Sequence, residues 1–200
     1  SCDFADITFD HARPYAYAIY EVVPDDAVNA AGEKYADAAI KSGYFTKDGV
    51  TYDGRMHEVH ISIAKNADGS LHSEGTSYSQ TGATSYTITN SYDAKGELEL
   101  SGHKEIANKP ASMDLSGFTF TVKEDDKVVS TGESDADGNF TFDEIDYDDL
   151  SAVGTHTYKI TEDATTKPGV TTSHATVTVR VTVTDDTKGT LVAEPANNGR

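Results

Sequence analysis

The chain has 200 residues and a formal net charge of −18, so nucleic acid and anionic lipid, both polyanions, are disfavoured as partners by simple repulsion. Hydrophobic residues make up 36% of it, tryptophan is missing, and Thr, Val and Tyr are abundant, which points to strands in one large or two ordinary domains. The single cysteine, Cys2, excludes an intramolecular disulfide framework, and no apolar run is long enough for membrane insertion.

In chain order, the first element is the alternating stretch Phe4-Ala5-Asp6-Ile7-Thr8-Phe9. A strand is predicted next at Tyr17-Ala18-Ile19-Tyr20-Glu21, where Tyr17, Ile19 and Glu21 share one face, so a carboxyl group is aimed at the side its neighbours bury. From Asp25 to Ser42, Ala27, Val28, Ala31, Tyr35, Ala38, Ala39 and Ile40 recur at near-helical spacing behind Asp25 and Asp26, which predicts a short helical insertion. Gly49-Val50-Thr51-Tyr52 follows, and then Val59, Ile61 and Ile63 mark a half-buried strand. A turn at Asn66-Ala67-Asp68-Gly69 leads to a short strand at Leu71. Tyr86-Thr87-Ile88-Thr89-Asn90-Ser91-Tyr92 reads as a strand that puts Asn90 on the face of Tyr86, Ile88 and Tyr92.

Past a joint at Asp93 to Gly96, the stretch from Glu97 to Ile106 places Leu98, Leu100, Gly102, Lys104 and Ile106 on one face. Strands at Gly117–Lys123 and Lys127–Thr131 come next. The remainder repeats the first half: Phe142–Tyr147 matches Phe4–Phe9, and Tyr158-Lys159-Ile160-Thr161-Glu162 matches the first glutamate strand. Gly169-Val170-Thr171-Thr172 then matches residues 49–52, and Val177 or Val179, Val181 and Val183 match Val59, Ile61 and Ile63. The turn Asp185–Gly189 and Leu191 close the copy. The same order in both halves marks an internal duplication. The expected boundaries are 1–93 for a first domain lacking its N-terminal strands and 97–200 for a second lacking its C-terminal strand.

Several other constellations carry little chemistry. His57-Glu58-Val59-His60 falls one residue short of a zinc-helix spacing and sits in a strand, where the two histidines face opposite sides. Asp135-Ala136-Asp137-Gly138-Asn139 is better read as a hairpin turn than as a calcium loop, because no glutamate occupies the twelfth position. A Cys2–Gln80 thioester lacks aromatic shielding, and no Ser-His-Asp set has an elbow to order it. Neither metal nor cofactor is expected.

Leu-x-Gly-x-Lys at 100–104, Gly117-Phe118-Thr119-Phe120, Asp137-Gly138-Asn139-Phe140-Thr141-Phe142, Tyr-x-Ile-x-Glu, Pro168-Gly169-Val170, the alternating valines and Thr89-Asn90-Ser91-Tyr92 together resemble the isopeptide-forming pilin domains of Gram-positive surface proteins, streptococcal backbone pilins in particular. The resemblance implies an all-β chain of two tandem Ig-like β-sandwich domains. It also implies a lysine on the first strand that condenses with an asparagine on the last, promoted by a glutamate on a central strand. Carried over, the lysine is Lys104, the asparagine Asn90 and the glutamates Glu21 and Glu162. Lys109 and Lys123 lie near as rivals, but only Lys104 shares the apolar face, while Lys109 sits beside Pro110 in a turn. Asn197 and Asn198 are weaker alternatives to Asn90, since Asn198-Gly199 reads as a turn. Burial disfavours a charged lysine and a charged glutamate alike, which would supply a nucleophilic amine and a proton donor held in contact.

The implied function is a load-bearing module of a cell-wall-attached, extracellular pilus or adhesin, cross-linked by itself and not a turnover enzyme. Its partners would be neighbouring domains or pilin subunits. A second reading is an adhesin domain that contacts a host glycan or matrix protein through residues 25–48.

Overall fold

The computed structural model describes residues 6–39, 41–78, 86–165, 167–173 and 175–196. Strands dominate, and the chain divides into two compact units, Ser1–Tyr92 and Asp93–Arg200. Among the described residues no helix is long and apolar enough to cross a membrane.

The first unit contains β1 (Pro14–Ile19), β2 (Tyr44–Lys47), β3 (Val50–Asp53), β4 (His57–Lys65), β5 (Leu71–Tyr78) and β6 (Ser91–Tyr92). They form two antiparallel sheets, ordered β1-β4-β5 and β2-β3-β6. The β2–β3 hairpin closes on Asp48-Gly49, both at positive φ, as a two-residue turn matched to strand twist requires. A small core gathers Val23, Ala27, Ala38 and Phe45 with Tyr35 and Tyr52 against them.

The expected helical insertion is not formed. Asn29 Oδ1 accepts the backbone N–H groups of Ala31 and Glu33, and Gly32 takes a left-handed φ of 78°, so the backbone donors a helix needs are already engaged. Val28 instead exchanges backbone hydrogen bonds with Thr46. The segment is a loop strapped to β2, and its periodic apolar residues serve that purpose: Tyr35 meets Phe45 edge-on at 5.0 Å, and Ala27 and Ala38 are buried beside it. Ile40 lies outside the described residues. Tyr86 to Asn90 is likewise not a strand, since pairing begins at Ser91.

The second unit contains β7 (Gly96–Leu98), β8 (Ser101–His103), β9 (Thr119–Glu124), β10 (Lys127–Glu133), β11 (Asn139–Thr141), β12 (Ile145–Tyr147), β13 (Gly154–Glu162), β14 (Thr176–Asp185) and β15 (Leu191–Pro195). An antiparallel sheet runs β10-β9-β13-β14-β15, and two ribbons, β8–β11 and β7–β12, pack against one of its faces. Alternation sends Phe120, Val122, Tyr158, Val181 and Val183 to that face, all buried. From the ribbons, Phe140 stacks on Phe120 at 3.9 Å, and the Tyr147 and Tyr158 hydroxyls meet at 2.8 Å. Gly102 passes directly beneath Phe140, where a Cβ would stand 2.4 Å from Cζ.

Burial pushes the Tyr158 phenol well above its ordinary range, with Tyr147 adding to the effect, so the hydroxyl stays neutral and hydrogen-bonded. Tyr158→Phe leaves the Tyr147 hydroxyl buried without its partner. We expect a loss of about 1–3 kcal/mol in denaturant unfolding.

The registers make the duplication explicit. Tyr17 pairs with Val59 and Ile19 with His57, while Tyr158 pairs with Val179 and Ile160 with Val177. Val59 therefore corresponds to Val179, which resolves the alternative between Val177 and Val179. Leu71 opposite Lys65 likewise corresponds to Leu191 opposite Asp185.

On the outside of the β7–β12 ribbon, Asp146 lies opposite Glu97, with Glu99 and Glu144 alongside. A hydrogen bond with Glu97 and its like charge hold the Glu144 carboxyl above the usual glutamate range. A raised native value means that this group favours folding when protonated and that the benefit is lost as pH rises through it. Glu97→Gln should therefore raise the melting temperature at neutral pH, and the gain should vanish in acid where Glu144 is protonated in both states.

Candidate functional site

In the second unit, Glu162 ends β13 on the inward side, two residues beyond Ile160 and four beyond Tyr158. Lys104 follows β8, its backbone N–H donating to the Gly138 carbonyl at 2.7 Å. The side chains meet: Lys104 Nζ donates to Glu162 Oε2 at 2.9 Å and lies 2.8 Å from Oε1 as an ion contact. They are 11% and 6% exposed, so the pair is close to dry. Glu162 Oε2 also accepts the backbone N–H of Ser173 at 3.3 Å.

The buried Phe118 ring forms one wall of the site. Lys104 Nζ lies 5.1 Å from its centroid and Lys167 Nζ 4.6 Å, with Lys167 also donating to the Ser116 carbonyl. Beside Lys104 an open cavity of about 650 Å³ is lined by His103, Ile106, Lys109, Met113 and Leu115 among others. Of the rival lysines, Lys109 reaches the Met113 carbonyl at 3.5 Å, and Lys123 stands on the outer face of the sheet.

In the first unit, Glu21 lies two residues past β1, on the inward side of the alternation. Its Oε2 accepts the Asp53 backbone N–H at 3.1 Å, and its Oε1 accepts the Asn90 side-chain N–H at 2.5 Å. Asn90 itself is exposed, immediately before β6. Asp53 is buried and clamped by Arg55, whose Nε and Nη2 each donate at 2.7 Å and hold the Asp53 carboxyl below the usual range. Arg55 in turn covers Tyr44. His57 is buried against Tyr86, with ring centres 3.8 Å apart.

These two carboxylates occupy matching positions. Residues 50–53 correspond to 170–173, so the N–H groups that reach Glu21 and Glu162, from Asp53 and Ser173, come from the same point of the repeat. What differs is the remaining partner, an amide in one unit and an amine in the other. The structure brings Asn90 to Glu21 and Lys104 to Glu162; neither unit holds glutamate, lysine and asparagine together among the described residues.

Sequence reasoning did not find the Ser173 and Asp53 anchors, although the Gly-Val-Thr match contains them. It also missed Phe118 and Lys167 as walls of the lysine site. Among the described residues no group of three or more His, Cys, Asp and Glu could hold a metal ion. His57 and His60 face opposite sides of β4, and Asp135 is occupied by the Asp137 and Asn139 N–H groups of its turn. Cys2, Gln80, Asn197 and Asn198 lie outside the described residues.

A family model described as Spy0128-like isopeptide containing domain matches residues 2–93 and again residues 100–199, nearly the whole chain. No curated protein and no solved structure matches it.

Proposed function

Since the chain belongs to the family of Spy0128-like isopeptide containing domains, in two tandem copies, we propose that it is a load-bearing piece of an extracellular, cell-wall-attached pilus or surface adhesin. Each unit is read as an Ig-like β-sandwich stapled by a Lys–Asn bond that its glutamate promotes. The observation that carries this reading is the matched pair of carboxylates: one N–H anchor in common, an amine at one, an amide at the other.

Taken together, the two half-sites support the following reaction. A proton passes from the Lys104 ammonium to the Glu162 carboxylate, leaving a neutral amine beside a carboxylic acid. The amine attacks the side-chain carbonyl carbon of an asparagine while the acid hydrogen-bonds the carbonyl oxygen. The attacking nitrogen gives up one proton, which passes to the amide NH₂ as its carbon–nitrogen bond breaks; ammonia departs, Glu162 keeps the proton it took from the ammonium, and lysine and asparagine are joined. Dryness at the pair and fixed neighbours stand in for the encounter that two separate molecules would rarely make.

The two units also differ in their edges. Beyond β13, β9 pairs with residues 159–162, whereas among the described residues β1 has no such neighbour. In the first unit β6 pairs with Val50 and Thr51, whereas the corresponding Val170 and Thr171 have no strand partner among the described residues. Val177 is 58% exposed where its counterpart His57, covered by Tyr86, is 6% exposed. These edges fit a first domain completed by a lysine strand and a second completed by an asparagine strand, the latter laid on Val170 and Thr171 as β6 lies on β3.

Intact-mass measurement on the natural full-length polypeptide tests the proposal. The mass should fall below that of the sequence by one ammonia for each domain holding all three residues, and Glu162→Ala should restore one ammonia. A mass equal to the sequence would exclude self-cross-linking.

A further inference from the structure

The outer face of the five-stranded sheet carries a feature that a staple does not explain. Lys123 on β9 and Lys159 on β13 lie directly opposite each other, and Arg180 on β14 sits diagonally from Lys159 beside Thr157. All three are exposed and point away from buried Phe120, Val122, Tyr158 and Val181. Like charges paired across strands cost stability. Among the described residues none of the three has an ion-pair partner. Their neighbours on that face are mostly threonines, such as Thr121, Thr157 and Thr178; its carboxylates are Glu133 and Glu194 on the outermost strands, Asp163, which accepts from Thr121, and Asp143, which accepts from Thr131. A flat cationic stripe thus crosses the three central strands of a chain whose net charge is −18.

The opposite side of the same unit carries its complement. The β7–β12 ribbon turns Leu98, Ile145 and Tyr147 inward and Glu97, Glu99, Glu144 and Asp146 outward. The crowding of Glu97, Glu99, Glu144 and Asp146 on that face is relieved by a cation brought from outside. Neither patch can reach the other within one unit, because the sheet and its core stand between them.

We propose that the Lys123–Lys159–Arg180 face receives the Glu97–Glu144–Asp146 ribbon of a second copy of this chain. The contact is heterologous: each copy offers one face and accepts on the other, so association adds copies in a row and does not close at a dimer. Charge complementarity sets the register and excludes the two like-charged pairings, face on face and ribbon on ribbon. At physiological ionic strength the chain's overall repulsion is screened beyond about 8 Å while contacts in the interface persist. The contact is separate from the isopeptide chemistry, and neither depends on the other.

Zero-length carbodiimide coupling of an equal mixture of unlabelled and isotope-labelled full chains, followed by peptide mapping, tests it. The expected products join Lys123 or Lys159 of one isotope to Glu97, Glu99, Glu144 or Asp146 of the other. Lys159→Glu alone and Glu144→Lys alone should each reduce these products about tenfold. Mixing the two variants should restore them in one direction, from the lysines of the Glu144→Lys chain to the ribbon of the Lys159→Glu chain. The intramolecular Lys47–Asp26 pair, 2.8 Å apart, reports that the reagent has acted. Mixed-isotope products that are missing while that link forms, or that join other surfaces, overturn the proposal, as does a mixture of variants that restores nothing.

Discussion

Glu162→Ala is expected to destabilise the second unit by about 3–5 kcal/mol, because it leaves the Lys104 ammonium almost fully enclosed with no carboxylate beside it. The remaining neighbours cannot take over. Phe118 offers its ring face at 5.1 Å, and Lys167, on the same ring, adds a second positive charge. For a unit of this size the loss corresponds to a fall in melting temperature of roughly 15 °C or more. The double variant Lys104→Met with Glu162→Gln removes both charges and should recover most of it, since replacing a buried pair outright costs far less than orphaning one member. A single variant that melts with the parent would show that water reaches the lysine and that the site is not dry.

Phe118→Ala should cost about 3–5 kcal/mol by the same unfolding measurement. The ring is buried, and its backbone is tied to Ser134 on both sides, the N–H donating to Ser134 Oγ at 3.1 Å and the carbonyl accepting from the Ser134 N–H at 2.9 Å. Those ties keep the chain from closing over the hole. The void opens beside Lys104, so a small acylating reagent should modify Lys104 faster in the variant than in the parent. Lys167→Met is the control: it keeps the ring, and should leave stability within about 1 kcal/mol.

The alternating strands were readable because one face of each meets a core. Tyr17 and Ile19, Val59 and Ile63, and Tyr158, Val181 and Val183 all fall where a period of two places them. Repetition of that pattern made the duplication visible before any pairing was known. The loop at 25–39 was misread as a helix because apolar spacing cannot register what Asn29 does with the N–H groups of residues 31 and 33. Asn90 lies near an alternating run, yet pairing starts one residue later and leaves its side chain exposed. Around Lys104, alternation indicated an inward direction, but Phe118 and Lys167 arrive from loops remote in sequence. Their approach depends on tertiary packing, which no local period encodes.

Protease digestion of the natural full-length polypeptide, with every lysine-containing peptide located by mass, tests the self-made staple most directly. The account predicts a branched peptide in which Lys104 Nζ is joined to an asparagine side chain with ammonia lost, present in the parent and missing from Glu162→Ala. Recovery of Lys104 in linear peptides alone, from a polypeptide that contains an asparagine strand for the second domain, would contradict it.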